Sequence, residues 1–381
     1  MNRRKFIEYS IKTIALASVP VINFFPKVNI SEDEKKLPWS SNTFKFPLEN
    51  FKLQSGEILK NAFLLVDVNG ELNQSKSNAI IFATCFAGSH KFNQMAYGIN
   101  RALNPLKYCI ITPNLFCSGY SSSPSNTISP QDGPRFPSVT YYDNINAQDK
   151  LISEHFGITN PLMYLGFSMG AQQAFHWGAL HGEKTGGIIP LCGTAKTTTQ
   201  NWITLEGCKL ALQSDVNYNN GDYSSPPKKG LKAFSRNYTS TLFDKEGYEE
   251  GLHLNLFDGF EDTESYLNFM DSFFGGIDAN DLLGMLNTWQ MGDIGKHEKF
   301  NNTKEALANI NCPALVMPSS TDLSFPARNN IPEVKGMPNA ELKVINTKYG
   351  HLAGGMSTTL TSQEDVAFID KNIREFLKKI T

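Results

Sequence analysis

Residues 162–167, Leu-Met-Tyr-Leu-Gly-Phe, form an apolar run that stops at Ser168, and residues 169–182 beyond it have helical composition. A buried strand that passes into a helix through Gly166-Phe167-Ser168-Met169-Gly170 must turn sharply, and small flanking residues leave room for the crowded backbone. By itself the G-x-S-x-G pattern is weak evidence. With glycine at about 7% of residues, it arises by chance in about one chain in six of this length. The strand before it and the helix after it narrow the reading to a nucleophile elbow. In that arrangement the Ser168 hydroxyl stands at the carboxyl edge of a sheet, above the free N–H groups of a helix N-terminus.

The rest of the chain repeats the same alternation. Strand-like runs at 48–54 and 60–68, around Ser55-Gly56, predict an antiparallel hairpin. Further strands are expected at 78–83, 107–112, 162–167 and 186–191, with helices at 92–103, 142–157 and 169–182 between them. Short apolar runs separated by helical patterns predict βαβ units, hence an α/β fold with a mostly parallel sheet covered by helices on both faces. The alternation stops near Gly193 and resumes near Asn311, with strands at 312–322 and 340–347 and an amphipathic helix at 362–380. Between lies an insertion of roughly one hundred residues, 194–310, rich in aromatics and helical in pattern. The core is therefore expected in two pieces, 48–193 and 311–381, with residues 27–47, polar and proline-punctuated, as a linker. Residues 121–134 are expected to form a long polar loop.

A serine hydroxyl needs a base to take its proton, and the base needs an acid to fix its tautomer. In this type of fold the chain order is serine, acid, histidine. Of seven histidines, His90 and His155 precede the serine, His176 and His181 lie on the helix leaving it, and His253 and His297 fall in the insertion. His351, in Lys-Tyr-Gly-His-Leu-Ala-Gly-Gly after the final strand, is the one left. Asp322, at the end of the preceding strand, is the acid that the order requires. A tetrahedral intermediate also needs N–H donors, each worth about 3 kcal/mol. The amide of Met169 is one. The loop Thr84-Cys85-Phe86-Ala87-Gly88-Ser89 supplies the other, from Phe86 or, alternatively, Cys85.

The N-terminus carries its own signal. Arg3-Arg4-Lys5 precedes a mostly apolar stretch from Ile11 to Phe25 that is too short and too interrupted, by Pro20 and Asn23, to span a membrane. Charge, a short apolar region and small residues describe an export signal over 1–26, and the paired arginines resemble the twin-arginine type. The expected product is an exported, periplasmic protein with the signal cleaved and no stable membrane span. Six dispersed cysteines without C-x-x-C predict single buried thiols, no disulfide framework and no metal site. A net charge of −2 with scattered cations gives no basis for nucleic-acid binding.

Pro-Asn-Leu-Phe-Cys-Ser-Gly-Tyr (113–120), Arg-Phe-Pro-Ser-Val-Thr-Tyr-Tyr-Asp (135–143), Gly-Phe-Ser-Met-Gly-Ala-Gln-Gln (166–173) and Gly-His-Leu-Ala-Gly-Gly (350–355) occur in an order that resembles the homoserine O-acetyltransferase-like branch of the α/β-hydrolase superfamily. The resemblance runs from about residue 48 to the C-terminus. It implies an eight-stranded, mostly parallel sheet and a helical lid over the active site. It also implies Ser168 as nucleophile, Asp322 as acid and His351 as base, with no cofactor and a small-molecule acyl substrate. Lid helices in such folds can pair two copies, so a homodimer is compatible with it. Two positions depart from the acyltransferases of that branch. They carry an Asp directly after the catalytic histidine, where this chain has Leu352, and usually Gly-Gly-Ser-Met-Gly-Gly-Met, where it has Gly166-Phe167-Ser168-Met169-Gly170-Ala171-Gln172. The expectation is a serine hydrolase acting on an ester, thioester or amide. An O-acyltransferase with the same triad is the alternative, and a catalytically silent scaffold the remote one.

Overall fold

The computed structural model describes residues 38–257 and 259–381. The export signal expected at 1–26, and residues 27–37 of the expected linker, lie outside the described residues. In chain order the strands are β1 (Ser41–Lys52), β2 (Ile58–Asn69), β3 (Ala79–Ala83), β4 (Cys109–Pro113), β5 (Met163–Phe167), β6 (Ile188–Leu191), β7 (Ala314–Val316) and β8 (Ala340–Leu342). The helices of the first half are α1 (His90–Gln94), α2 (Tyr141–Lys150) and α3 (Met169–His181). Those of the insertion and after it are α4 (Thr199–Gln213), α5 (Lys228–Thr239), α6 (Lys245–Glu249), α7 (Thr263–Gly275), α8 (Ala279–Gln290), α9 (Thr303–Ala308), α10 (Ala327–Gly336) and α11 (Gln363–Ile380).

The eight strands form one sheet in the order β1-β2-β4-β3-β5-β6-β7-β8. β1, β2 and β4 pair antiparallel, and every pairing from β4 to β8 is parallel. Alternate side chains of the central strands serve two cores. Ile81 of β3 and Tyr164 of β5 join the core that holds Phe175 and Trp177 of α3. Ile80 and Phe82, with Met163, Leu165 and Phe167, join the core that holds Ile369, Ile373 and Phe376 of α11. Burial on both faces explains the unbroken apolar runs read in the sequence. Among the described residues, no helix is long and apolar enough to cross a membrane.

Three expectations need correction. β1 starts at Ser41, inside the stretch read as linker. Its edge position explains this, because Pro47 removes a donor that an outermost strand does not need, while Phe46 is buried against the core. The helix expected over 92–103 is only the short α1; Gly98 turns the chain, its amide bonding to Leu103 O at 3.1 Å. The insertion closes earlier than residue 310. Residues 195–197 and 292–294 form a short antiparallel neck, with Thr197 N–H donating to Gly292 O (2.8 Å) and Ile294 N–H to Ala195 O (3.1 Å). Beyond the neck the chain rejoins the core, where Asn309 donates to Ala179 O of α3 at 2.8 Å. The lid is thus the segment hung between the two strands of the neck.

Candidate active site

β5 delivers Ser168 to the top of the sheet, and α3 begins at the next residue. Ser168 adopts φ 60° and ψ −122°, a conformation costing a non-glycine residue about 1–3 kcal/mol. That strain turns Oγ out of the strand. The two glycines of the motif have steric rather than dihedral work: a Cβ on Gly166 would run into the Gly170 backbone, and one on Gly170 would lie 2.7 Å from Ala83 O at the end of β3. The elbow is tight because the first turn of α3 lies directly on the ends of β5 and β3.

The expected partners converge on it. His351 Nδ1–H donates to Asp322 Oδ2 at 2.7 Å, which leaves Nε2 as the acceptor of the Ser168 hydroxyl at 2.8 Å. All three residues are buried. Asp322 Oδ1 accepts the amides of Ser324 (2.8 Å) and Phe325 (2.9 Å), so the carboxylate takes three hydrogen bonds, two from its own loop and one from the imidazole. The His351 ring lies between Phe167 (centroids 4.8 Å) and Phe325 (5.5 Å), which limit its rotation and shield it from water. An imidazole so held, with a carboxylate behind and a hydroxyl in front, is arranged to remove the serine proton.

The loop after β3 lies beside the elbow, with Thr84 O accepting from Gln173 of α3 at 2.9 Å. Among the described residues no acceptor takes the amide of Phe86 or of Met169. Burial pushes the neighbouring Cys85 thiol up to about 12, so it stays protonated. The other five cysteines are likewise buried single thiols. His176 is no rival base. It packs against Tyr141 and Tyr142, its Nδ1–H donates to Gln172 O at 2.7 Å, and desolvation holds it down to about 4.

The aromatic residues of the insertion divide in two. Phe234 and Tyr238 of α5, Phe274 of α7 and Trp289 of α8 all surround the Phe86 ring, at centroid distances of 6.2, 5.2, 6.5 and 5.7 Å. Trp289 also stacks on Phe325 (5.4 Å, 11°), which connects the lid to His351. Tyr266 and Phe269 instead pack with Phe260 away from these rings, Phe273 touches the edge of Phe274, and Phe243 lies on Tyr248 and Tyr349.

Sequence reasoning missed the contact between lid and base. His351 N–H donates to Leu242 O at 2.8 Å, and Gly350 (φ 54°) permits the approach, since a Cβ there would collide with that carbonyl. The glycine preceding His351 was visible in the sequence; the lid residue that it faces was not. Phe325 was equally hidden, in a loop with no periodicity.

Comparison with known proteins agrees with this geometry. The family model for the alpha/beta hydrolase fold matches residues 78–354. An ethyl acetate hydrolase of Pseudomonas veronii is 35% identical over 79% of this chain and 86% of its own length. The crystal structure of an acetylester hydrolase from Corynebacterium glutamicum superimposes with a TM-score of 0.83 at 32% identity, covering 88% of this chain and 96% of that one. A homoserine O-acetyltransferase of Chlorobaculum parvum is 26% identical over 85% of this chain and 93% of its own length. With esterases nearer in sequence than that acyltransferase, and with a serine elbow closed by a lid, the chain belongs to the α/β-hydrolase family, in the branch that holds both esterases and homoserine acyltransferases, and is a hydrolase.

Proposed function

We propose that the protein is a serine esterase that cleaves esters of short acyl groups, acetyl foremost, by way of an acyl-enzyme. The observation that carries this is the buried relay from Ser168 to His351 to Asp322 beneath an aromatic roof. His351 Nε2 takes the Ser168 proton as Oγ adds to the ester carbonyl. The amides of Met169 and Phe86 receive the oxyanion, at about 3 kcal/mol per donor. Collapse expels the alcohol, which leaves with the proton from His351. Water then gives its proton to Nε2 and adds to the acyl-enzyme, and the second collapse returns Ser168 and releases the carboxylic acid.

The acyl preference rests on the rings around Phe86. Four lid aromatics within 6.5 Å of it leave little room for a long chain beside the oxyanion position. Against acyl esters of one alcohol, kcat/KM is expected to be highest for acetate. It should fall about tenfold or more by hexanoate, given the 1–3 kcal/mol typical of forcing methylenes into a packed site. A maximum at octanoate would overturn the preference. Leu352, where the acyltransferases carry Asp, gives homoserine no carboxylate partner. With acetyl-CoA and homoserine, release of CoA without O-acetylhomoserine is therefore expected.

Residues 1–26 are proposed to direct export, on the strength of Arg3-Arg4-Lys5 and the short apolar stretch behind them. Intact mass of the protein recovered after expression with a twin-arginine exporter should show that this stretch is gone. A chain still starting at Met1 would count against cleavage.

A further inference from the structure

The neck of the lid is held from behind by one acid. Glu333 of α10 is buried, with 9% of its surface exposed. One of its oxygens accepts the Ala195 amide at 2.8 Å and the other accepts Asn330 Nδ2 at 2.8 Å; the Lys196 amide points to the same carboxylate. The same Asn330 amide donates to Gly193 O at 2.8 Å. Gly193 in turn abuts the elbow: a Cβ there would lie 2.9 Å from Ser168 O and 2.5 Å from Ala171 Cβ. Meanwhile α10 leads out of the loop that holds Asp322. Glu333 thus stands where the nucleophile's rear, the acid's helix and the first strand of the neck meet.

Among the described residues no cation neutralises it. Lys196 Nζ turns to Asp293 across the neck at 3.0 Å. Arg328 and Lys335 of α10 and Lys304 of α9 line the adjoining groove, with no ion pair to any described residue. A buried carboxylate without a counter-ion is costly, and an apolar side chain of the same size would avoid the cost.

We propose that Glu333 is a positioning residue for turnover: its carboxylate fastens the lid neck and the Gly193 loop to the helix that follows Asp322, and so keeps elbow and lid in register. All its partners are N–H donors. Protonation would set an O–H against one of them and break that bond. Burial pushes Glu333 up to about 8, so the clamp loosens as pH falls through that value. This rests on the serine hydrolase reading above.

The test is kcat/KM for an acetate ester from pH 6 to 10, with thermal unfolding alongside, for wild type, Glu333→Gln and Asn330→Ala. Wild type should show a rise in kcat/KM near pH 8. Glu333→Gln should lose that rise and fall about tenfold below wild type at pH 9, the scale of one buried hydrogen bond. Asn330→Ala removes a donor from the carboxylate, so it should move the rise to higher pH. A merely structural clamp would act only on unfolding. Because folding raises this pKa, the folded state loses stability as pH increases through about 8, and Gln removes that slope in either case. The proposal is overturned if wild type has no rise near pH 8, if Glu333→Gln superimposes on it, or if that rise stays put in Asn330→Ala. The last two arms do not depend on each other, so a misfolded Glu333→Gln leaves the test intact. Fluorophosphonate labelling of Ser168 in all three proteins separates this outcome from failure of the hydrolase reading, which would abolish labelling in wild type too.

Discussion

Ser168→Ala is expected to lower kcat by about 10⁴-fold or more and to abolish fluorophosphonate labelling, while the protein stays folded. The magnitude follows from the relay. His351 and Asp322 act only through the proton that Ser168 gives up, so without Oγ neither has a reaction to assist. What remains is binding and the amides of the oxyanion site. Folding should survive because alanine occupies the same strained backbone, φ 60° and ψ −122°. Ser168→Gly makes the complementary case. Glycine takes that conformation without strain, so it should melt higher than Ser168→Ala and be equally inactive. Labelling of Ser168→Ala at the wild-type rate would sink the assignment of the nucleophile.

Gly170→Ala should also damage catalysis, for a steric reason. Its new methyl would sit 2.7 Å from Ala83 O and 3.4 Å from Thr84 O, both backbone atoms at the root of the loop that carries Phe86. Neither can swing aside as a side chain could. The strand end and the first turn of α3 must part, moving the Phe86 and Met169 amides relative to Oγ. A displacement of about 1 Å at such a site costs on the order of 10²-fold in kcat/KM. Overpacking of this kind destabilises by about 1–3 kcal/mol. The expected result is a folded protein with lower melting temperature and kcat/KM down about a hundredfold. Wild-type kinetics in Gly170→Ala would mean that the elbow is looser than its contacts imply.

The comparison of these two positions shows why the site was legible. The serine, the acid and the histidine each lie at the end of a strand or in the loop directly after one. Strand ends can be located from apolar runs, and chain order then picks His351 among seven histidines. The apolar strands β3 and β5 were equally legible, since both faces of each are buried and no polar residue interrupts them. Elements that depend on contacts distant in the chain were not. The first half of β1, residues 41–47, looked like linker because its polar residues face solvent and Pro47 breaks its pattern, although the edge of a sheet tolerates both. The helix expected over 92–103 shrank to five residues because Gly98 can turn toward Leu103, a choice made by the fold and not by helix propensity.

The lid divides along the same line. Its aromatic helices were visible as a pattern, yet their spacing does not tell which rings face Phe86 and which pack on each other. Helical period places side chains on faces; it does not orient one helix against another. The contact of Leu242 O with the His351 amide and the position of Glu333 behind the neck arise from residues about 100 or more apart in sequence.

From the chain alone come the class of fold, the candidates for nucleophile, acid and base, and the expectation of an insertion. All of these follow from local apolar runs, small residues at a turn and the order of the chain, which act over a few residues at a time. Tertiary structure alone decided where the insertion joins the core, which aromatic rings surround Phe86 and which buried carboxylate bonds to the neck. Those depend on the packing of segments far apart in sequence, where shape and desolvation, rather than local preference, select the arrangement.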